Sequence, residues 1–330
     1  MTTLGLRFIT ATDYLAALQQ VLPLAKKRIV IHAMVLLWQP HTETLLPLLR
    51  DALERGVELR IVGDLYSKFH SNMPKFVRGD HGPRWGHTLA INSELQSLGA
   101  HVTYVGKIGL NPYKQRCHSK ITIVDNHVYS FGGVNFYSGA FTFHDYMLTT
   151  TSKTLADRLY SLVCAIEKYP RMTDFADPID EENTLLFDGG SPGSSAIYKT
   201  ACEVVATAKK VYYVSKMCPS GELAKLINKT DNACYFVRPA QDDLPANLAL
   251  IVDRARFGIT NRYKGKRYIH AKFILTEDND GSKHVISGSN NFSWRGIAYG
   301  TKEIAIHSTD EKLWQTFYNY MQKEIIGPAR

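Results

Sequence analysis

The feature that most restricts this chain is that it states one pattern twice. His118-Ser-Lys120 and His270-Ala-Lys272 stand 152 residues apart in a chain of 330. Each is followed by a turn of small residues ending in Asn: Gly132-Gly133-Val134-Asn135 in the first copy, Gly288-Ser289-Asn290-Asn291 in the second. Beyond each turn stands one carboxylate, Asp145 or Glu303. Lys120 to Asn135 spans 15 residues and Lys272 to Asn291 spans 19, and the longer turn Glu277–Lys283 accounts for the difference. Chance agreement of five residue types in one order, at nearly equal offsets, is poor. The chain is therefore an internal duplication with a period near 150 residues, far too long for a solenoid. Two sets of the same side chains are expected to meet at one shared site.

Both copies are embedded in alternating strand and helix patterns. In the first, the β-branched run Arg28–Val35 predicts a buried strand, and the leucines of Thr42–Arg55 have helical spacing and stop before Gly56. Val57–Val62 and His101–Val105 read as further strands, Leu89–Leu98 as a helix, and Ser119–Phe131 as a hairpin turning at Asp125-Asn126. Asp145–Thr150 is one more strand and Lys153–Lys168 a closing helix. The second copy repeats the order. Ser194–Ala208 and Gly221–Ile227 read as helices, Lys210–Ser215 and Cys234–Val237 as strands, and Ile269–Thr276 with His284–Ser287 as the hairpin. Glu303–His307 follows as a strand and Lys312–Ile325 as a helix whose Trp314, Phe317 and Tyr320 read as core. Such alternation predicts a layered α/β architecture with mixed sheets flanked by helices. Tyr169–Gly193, rich in Asp, Glu, Gly and Pro, reads as a linker. The expected division is thus 1–168, linker 169–193, and 194–330. The segment Asp64–His87 has no second-half counterpart of equal length. Its basic Lys68, Lys75, Arg78 and Arg84 alternate with Tyr66, Phe69, Phe76 and Trp85. It reads as a lid, a phosphate-binding flap or a lipid contact.

Composition narrows the class without choosing a substrate. Five cysteines with no CxxC suggest neither a disulfide framework nor a zinc site. Cys117 beside His118 reads as a neighbour only. Met1–Arg7 shows no basic start backed by an apolar stretch, so no secretory leader is expected. The most apolar run, Ile29–Trp38, is about half the length that crosses a bilayer. The expected location is cytoplasmic, at most peripheral to the inner face of the membrane. A net charge of +8 favours polyanionic partners, either an anionic phospholipid surface or nucleic acid, and no obligate protein partner is implied.

The repeated residues have a common chemistry. Along a strand, His and Lys two apart face the same way. An imidazole nitrogen attacks phosphorus, an ammonium and an amide N–H stabilise phosphoryl oxygens, and a carboxylate on the other ring nitrogen fixes the tautomer. With two copies, one histidine serves as nucleophile and the other as general acid, then base. The catalytic candidates are His118, Lys120, Asn135, Asp145, His270, Lys272, Asn291 and Glu303. Arg116 and Arg267 just upstream of the motifs, Gly133 and Ser289 in the turns, and Trp85 are candidates for contacting substrate. Either histidine is an eligible nucleophile on these grounds.

At these residues the chain resembles the phospholipase D superfamily. That family repeats His-x-Lys-x4-Asp followed by Gly-Ser/Gly-x-Asn. His118-Ser-Lys120-x4-Asp125 with Gly132-Gly133-Val134-Asn135 matches fully, and His270-Ala-Lys272-x4-Glu277 with Gly288-Ser289-Asn290-Asn291 departs only in Glu277. The resemblance implies a pseudo-twofold pair of αβα halves, a phosphohistidine intermediate and no metal or other cofactor. It also implies a structural role for the motif's acid, carboxylates Asp145 and Glu303 holding the histidines, and His118 as the attacking one. Within the superfamily, Phe131–Ser138 followed by His144-Asp-Tyr146 is most similar to bacterial cardiolipin synthases. The resemblance therefore implies a phosphatidyltransferase or phospholipase, with a nuclease or phosphodiesterase on nucleic acid as the alternative and a silent binding module as a third reading. Trp85, Phe76, Phe141 and Phe143 would form an apolar rim in the lipid case.

Overall fold

A computed structural model describes residues 3–72, 85–107, 109, 111, 113–238 and 244–327. Its two sheets each have seven strands. The first contains β1 (Arg7–Thr10), β2 (Arg28–Ala33), β3 (Glu58–Asp64), β4 (His101–Val105), β5 (Ile121–Val124), β6 (His127–Ser130) and β7 (Tyr146–Thr151), in the order β1-β7-β6-β5-β2-β3-β4. The second contains β8 (Phe175–Pro178), β9 (Asn183–Gly189), β10 (Ala208–Val214), β11 (Asp231–Tyr235), β12 (Phe273–Asp278), β13 (Lys283–Gly288) and β14 (Lys302–Ser308), in the order β11-β10-β12-β13-β14-β9-β8. Six strands correspond one to one between the sheets. β2 and β10 are nearly all buried, which is why they read as continuous apolar runs rather than as alternating ones. In each sheet the inner strand runs parallel to one neighbour and antiparallel to the hairpin.

The expected α/β class with mixed sheets flanked by helices is what the structure has. Two readings need correction. The segment 169–193 is not a bare linker, because it carries β8 and β9, and β9 pairs along its whole length with β14. Aspartates and glycines hid a strand there: the apolar core Leu185-Leu186-Phe187 is fully buried, whereas its polar flanks carry the turn chemistry. The segment Asp64–His87 is not one long loop either. A helix spans Tyr66–Asn72 and another begins at Trp85, while Lys75, Phe76, Arg78 and Arg84 lie outside the described residues. The second half has its own helix, Leu244–Phe257, in the corresponding crossover. β1 and the Ala11–Val21 helix, capped by Thr10, also had no sequence assignment.

One apolar cluster runs through both halves, joining Ile121, Ile123 and Leu148 to Phe187, Tyr213 and Phe273. Tyr146 sits at its centre. Its ring lies 4.8 Å from Phe8, 5.0 Å from Phe317 and 5.9 Å from Phe273. Trp314 and Phe317 are buried, as their spacing predicted. The Tyr146 hydroxyl shares its one proton between the carbonyl of Lys272 at 2.8 Å and Ser287 Oγ at 2.7 Å, and Ser287 Oγ in turn donates to the carbonyl of Phe131. A buried chain of hydrogen bonds thus crosses from one hairpin to the other directly under the second motif. Tyr146→Phe keeps the ring and removes the hydroxyl. Because it removes a buried donor while the Lys272 carbonyl keeps its 3.3 Å bond from the Gly288 N–H, it should cost about 1 kcal/mol, read as a lowered urea midpoint with unchanged denaturant slope.

Candidate functional site

Topology explains why the repeated residues converge. Lys120 immediately precedes β5, the turn Gly132–Asn135 follows β6, and Asp145 immediately precedes β7. Since β5, β6 and β7 are antiparallel, the start of the first, the end of the second and the start of the third share one sheet edge. Lys272, Gly288–Asn291 and Glu303 occupy the same places around β12, β13 and β14. His118 and Lys120 themselves lie just before the strand, in an extended segment bonded to the other half.

That bonding is crossed. His118 Nδ1 lies 2.9 Å from Glu303 Oε2, and His270 Nδ1 lies 2.7 Å from Asp145 Oδ2. Each histidine is therefore held by the carboxylate of the opposite half. The backbone repeats the exchange: His118 N–H donates to the carbonyl of Lys302 at 2.8 Å, and His270 N–H to the carbonyl of His144 at 3.0 Å. Each carbonyl belongs to the residue just before the carboxylate in question. All four side chains are buried, the histidines at 8% exposure each. Neither half on its own contains a complete histidine–carboxylate pair.

The lysines are also buried, at 1% for Lys120 and below that for Lys272. Each ammonium donates to its own motif's histidine carbonyl, Lys120 at 2.5 Å. Burial pushes Lys120 down to about 8 and Lys272 to about 7, against the pull of Glu303 and Asp145. The Asn135 amide oxygen accepts the backbone N–H of Val35 at 3.1 Å, which leaves its NH2 to donate. Asn291 is held differently. Its backbone carbonyl accepts from Tyr213 and Ser215, and its buried side-chain oxygen has no hydrogen-bond partner.

The two pairs differ in charge. For Glu303, burial pushes upward, but His118, Lys120 and a 2.5 Å hydrogen bond donated by Ser289 outweigh it and hold the carboxyl below its ordinary value. For Asp145, burial prevails over Lys272 and the backbone donors, and the carboxyl rises to about 7. Burial and the lysines lower both histidines, with Glu303 opposing at His118, which comes to about 4.

The residues expected to contact substrate have other duties. Arg116 is buried, and its guanidinium donates to Asp64 Oδ1 at 2.8 Å and to the carbonyls of Lys114 and Lys107. Asp64 in turn accepts the N–H of Cys117 at 2.7 Å, so this pair sets the backbone entering His118. Arg267 donates to the carbonyls of Thr142 and Phe143, in the chain leading to Asp145. Gly133 leaves room for a carboxylate: a Cβ there would stand 2.6 Å from Asp145 Oδ1. Ser289, its counterpart, binds Glu303 instead. Trp85 packs edge-on against Tyr104, 4.9 Å away. Phe141 is buried, whereas Phe143 lies 6.0 Å from the His270 ring and 4.8 Å from Tyr268.

Several contributors had no sequence signal. Asp64, at the end of β3, is one. Lys216, just past β10, is another: its charge acts on both His270 and Lys272. His32 is a third. Its Nε2 lies 2.8 Å from Ser119 Oγ and 3.3 Å from Cys117 Sγ, so the residue between His118 and Lys120 is pinned from behind. Cys117 is thus a packed neighbour, as its sequence reading had it. Asp125 accepts the backbone N–H groups of Lys26, Lys27 and Arg28, a structural role for the motif's acid. Among the described residues, no group of three His, Cys, Asp or Glu is arranged to hold a metal ion.

Comparison with known proteins places this arrangement. Residues 18–162 match the family model described as the cardiolipin synthase, phospholipase D-like domain. Among solved structures, phosphatidylserine synthase of Haemophilus influenzae Rd KW20 superposes with a TM-score of 0.70 at 12% identity, over 98% of this chain and 86% of that one. Polyphosphate kinase of Porphyromonas gingivalis superposes with a TM-score of 0.60 at 10% identity, over 96% of this chain and 46% of that one. No curated protein matches by sequence.

Crossed pairing has a direct readout. In histidine ¹⁵N spectra, Glu303→Gln should shift the His118 ring signals and leave those of His270 in place, and Asp145→Asn should do the converse. Shifts confined to the same half as the substitution would contradict the arrangement. The lysines set a second expectation. Each is cationic below its pKa and neutral above it, so anion binding is present at low pH and lost as pH rises through about 7 to 8. Sulfate, whose own charge is constant over this range, should bind by calorimetry roughly tenfold more weakly at pH 9 than at pH 6.5.

Proposed function

We propose that this chain, whose residues 18–162 match the cardiolipin synthase, phospholipase D-like domain, transfers or hydrolyses a phospholipid phosphodiester through a phosphohistidine intermediate. The observation that carries the reading is the closed set of two crossed histidine–carboxylate pairs with two buried lysines. Glu303 is ionised and accepts the Nδ1 proton of His118, which leaves the lone pair of Nε2 facing the site. His118 attacks phosphorus, and the bond to the leaving oxygen breaks. The His270–Asp145 pair holds the proton that this step needs. With Asp145 protonated, its O–H donates to Nδ1 of His270, and the ring proton resides on Nε2. That proton passes to the leaving alkoxide as the aspartic proton moves to Nδ1. An acceptor alcohol or water then returns its proton to Nε2 and attacks phosphorus. The N–P bond breaks and both pairs are restored. Lys120, Lys272 and the Asn135 NH2 stabilise the charge on the non-bridging oxygens throughout.

The difference between Glu303 and Asp145 supports His118 as the nucleophile, a choice that symmetry alone leaves open. A lipid substrate is supported by the cardiolipin synthase-type match over residues 18–162 and by the aromatic pair Phe143 and Tyr268 beside His270. No described helix is long and apolar enough to cross a membrane; on the lipid reading, the substrate is reached at a bilayer surface.

The test is mass spectrometry of products from phosphatidylglycerol and phosphatidylethanolamine vesicles incubated with the protein in excess chelator. Cardiolipin, another exchanged lipid or phosphatidic acid should form, and His118→Ala should reduce the rate by about 10³-fold or more. Folded protein that turns over no lipid but cleaves single- or double-stranded nucleic acid would overturn the lipid reading and leave the chemistry standing.

A further inference from the structure

The helix Leu244–Phe257 is patterned inside out. Leu248, Ile251 and Val252 are 54%, 50% and 53% exposed, and Ala255 extends the same stripe one turn further. The i, i+3, i+4, i+7 spacing puts all four on one face. On the opposite face, Leu250 is buried beside Asp253, and the Asp253 carboxylate accepts from Arg295 at 3.1 Å. A helix seated on a soluble core normally presents these faces the other way round. Here the acidic residue is inside, anchored to its neighbour, and the branched aliphatic side chains face out. Trp294, next to that anchor in sequence, is 48% exposed.

Charge indicates what the stripe faces. From Arg254 to Arg267 the chain reads Arg-Ala-Arg-Phe-Gly-Ile-Thr-Asn-Arg-Tyr-Lys-Gly-Lys-Arg, with six basic residues and no acidic one. Arg256, Arg262, Lys264 and Lys266 are exposed. This basic stretch starts in the helix's last turn and ends three residues before His270. Asp253 acts on Cys218, two residues beyond Lys216, so the helix stands beside a loop that also bears on the catalytic residues. An apolar stripe continuous with an acid-free basic segment is the pattern of a helix lying in the headgroup layer of an anionic bilayer.

We propose that the outer face of the Leu244–Phe257 helix, with Leu248, Ile251 and Val252 inserted and the 254–267 segment on the headgroups, docks the protein on anionic phospholipid surfaces and brings the His270 side of the site to the membrane. This rests on the lipid reading above and names the surface on which it operates. The site itself lies elsewhere, so docking and chemistry separate by experiment.

The full chain is floated with vesicles of phosphatidylcholine alone or containing phosphatidylglycerol. It is compared with a Leu248→Ser/Ile251→Ser/Val252→Ser variant and with a Lys264→Gln/Lys266→Gln variant. The expected result is partition to phosphatidylglycerol vesicles reduced ~10-fold by the first variant and less by the second. Melting should be unchanged, and turnover of a short-chain, water-soluble phosphatidylglycerol should stay within about twofold of native. Native partition by the triple-serine variant would overturn the docking surface and leave the proposed activity intact. Triple-serine loss of vesicle binding, in a protein that turns over no lipid, would support the surface and defeat the activity. A native dimer that becomes a monomer in the triple-serine variant, with vesicle partition unchanged, would assign the stripe to a second copy of the chain and overturn the proposal.

Discussion

Everything at the shared edge of the two sheets depends on an exchange of hydrogen bonds between the halves. His118 receives its carboxylate from β14 and His270 receives its carboxylate from the start of β7. The backbone N–H of each histidine is tied to the same segment as its carboxylate. A small relative shift of one half would break both pairs at once and strand four buried ionisable groups, which is costly in a low-dielectric interior. The functional pairing is therefore also a clamp on the packing of the halves. The aromatic cluster around Tyr146 and the hydroxyl chain through Ser287 hold the same boundary from below.

The clamp encloses a near-neutral set: two lysines, two carboxylates and two imidazoles, all buried. Taking these groups from water favours their uncharged forms, which is the direction seen for both lysines, both histidines and Asp145. Glu303 departs from this because Ser289 and His118 supply specific donors. An anion entering this set, as the proposed function requires, would meet ammonium groups whose charge its own charge reinforces.

The duplicated motif made the convergence of these side chains legible, because strand alternation and hairpin geometry tie each residue of the pattern to one sheet edge. The class of fold was legible for the same reason. What escaped was whatever the pattern does not repeat. Asp64 and Arg116 form a buried pair between β3 and the first motif, and nothing in the local sequence of either signals the other. The crossing of the carboxylates was hidden as well, since a twofold repeat is equally compatible with pairing inside each half. β9 was masked by the acidic, glycine-rich residues around its short apolar core. The Leu244–Phe257 helix was hidden by its inverted face, which defeats a reading that assigns apolar residues to the core.

The two copies have also diverged in a way that bears on the division of labour proposed for them. Aspartate is one methylene shorter than glutamate, so the backbone opposite Asp145 must come close, and Gly133 is the residue that permits it. With no side chain there, Asp145 has a histidine partner but no hydroxyl donor. Glu303 is one methylene longer, and Ser289, at the position of Gly133, donates a hydroxyl to its carboxylate. A hydrogen bond donated to the ionised form lowers a carboxyl's pKa, and burial without such a donor raises it. The Gly–Asp and Ser–Glu combinations thus act as matched units, one retaining a proton near neutrality and the other releasing it. In the proposed mechanism, a duplicated site of identical halves would have no means of distinguishing nucleophile from acid. A single methylene and a single hydroxyl are the differences on which that proposal draws.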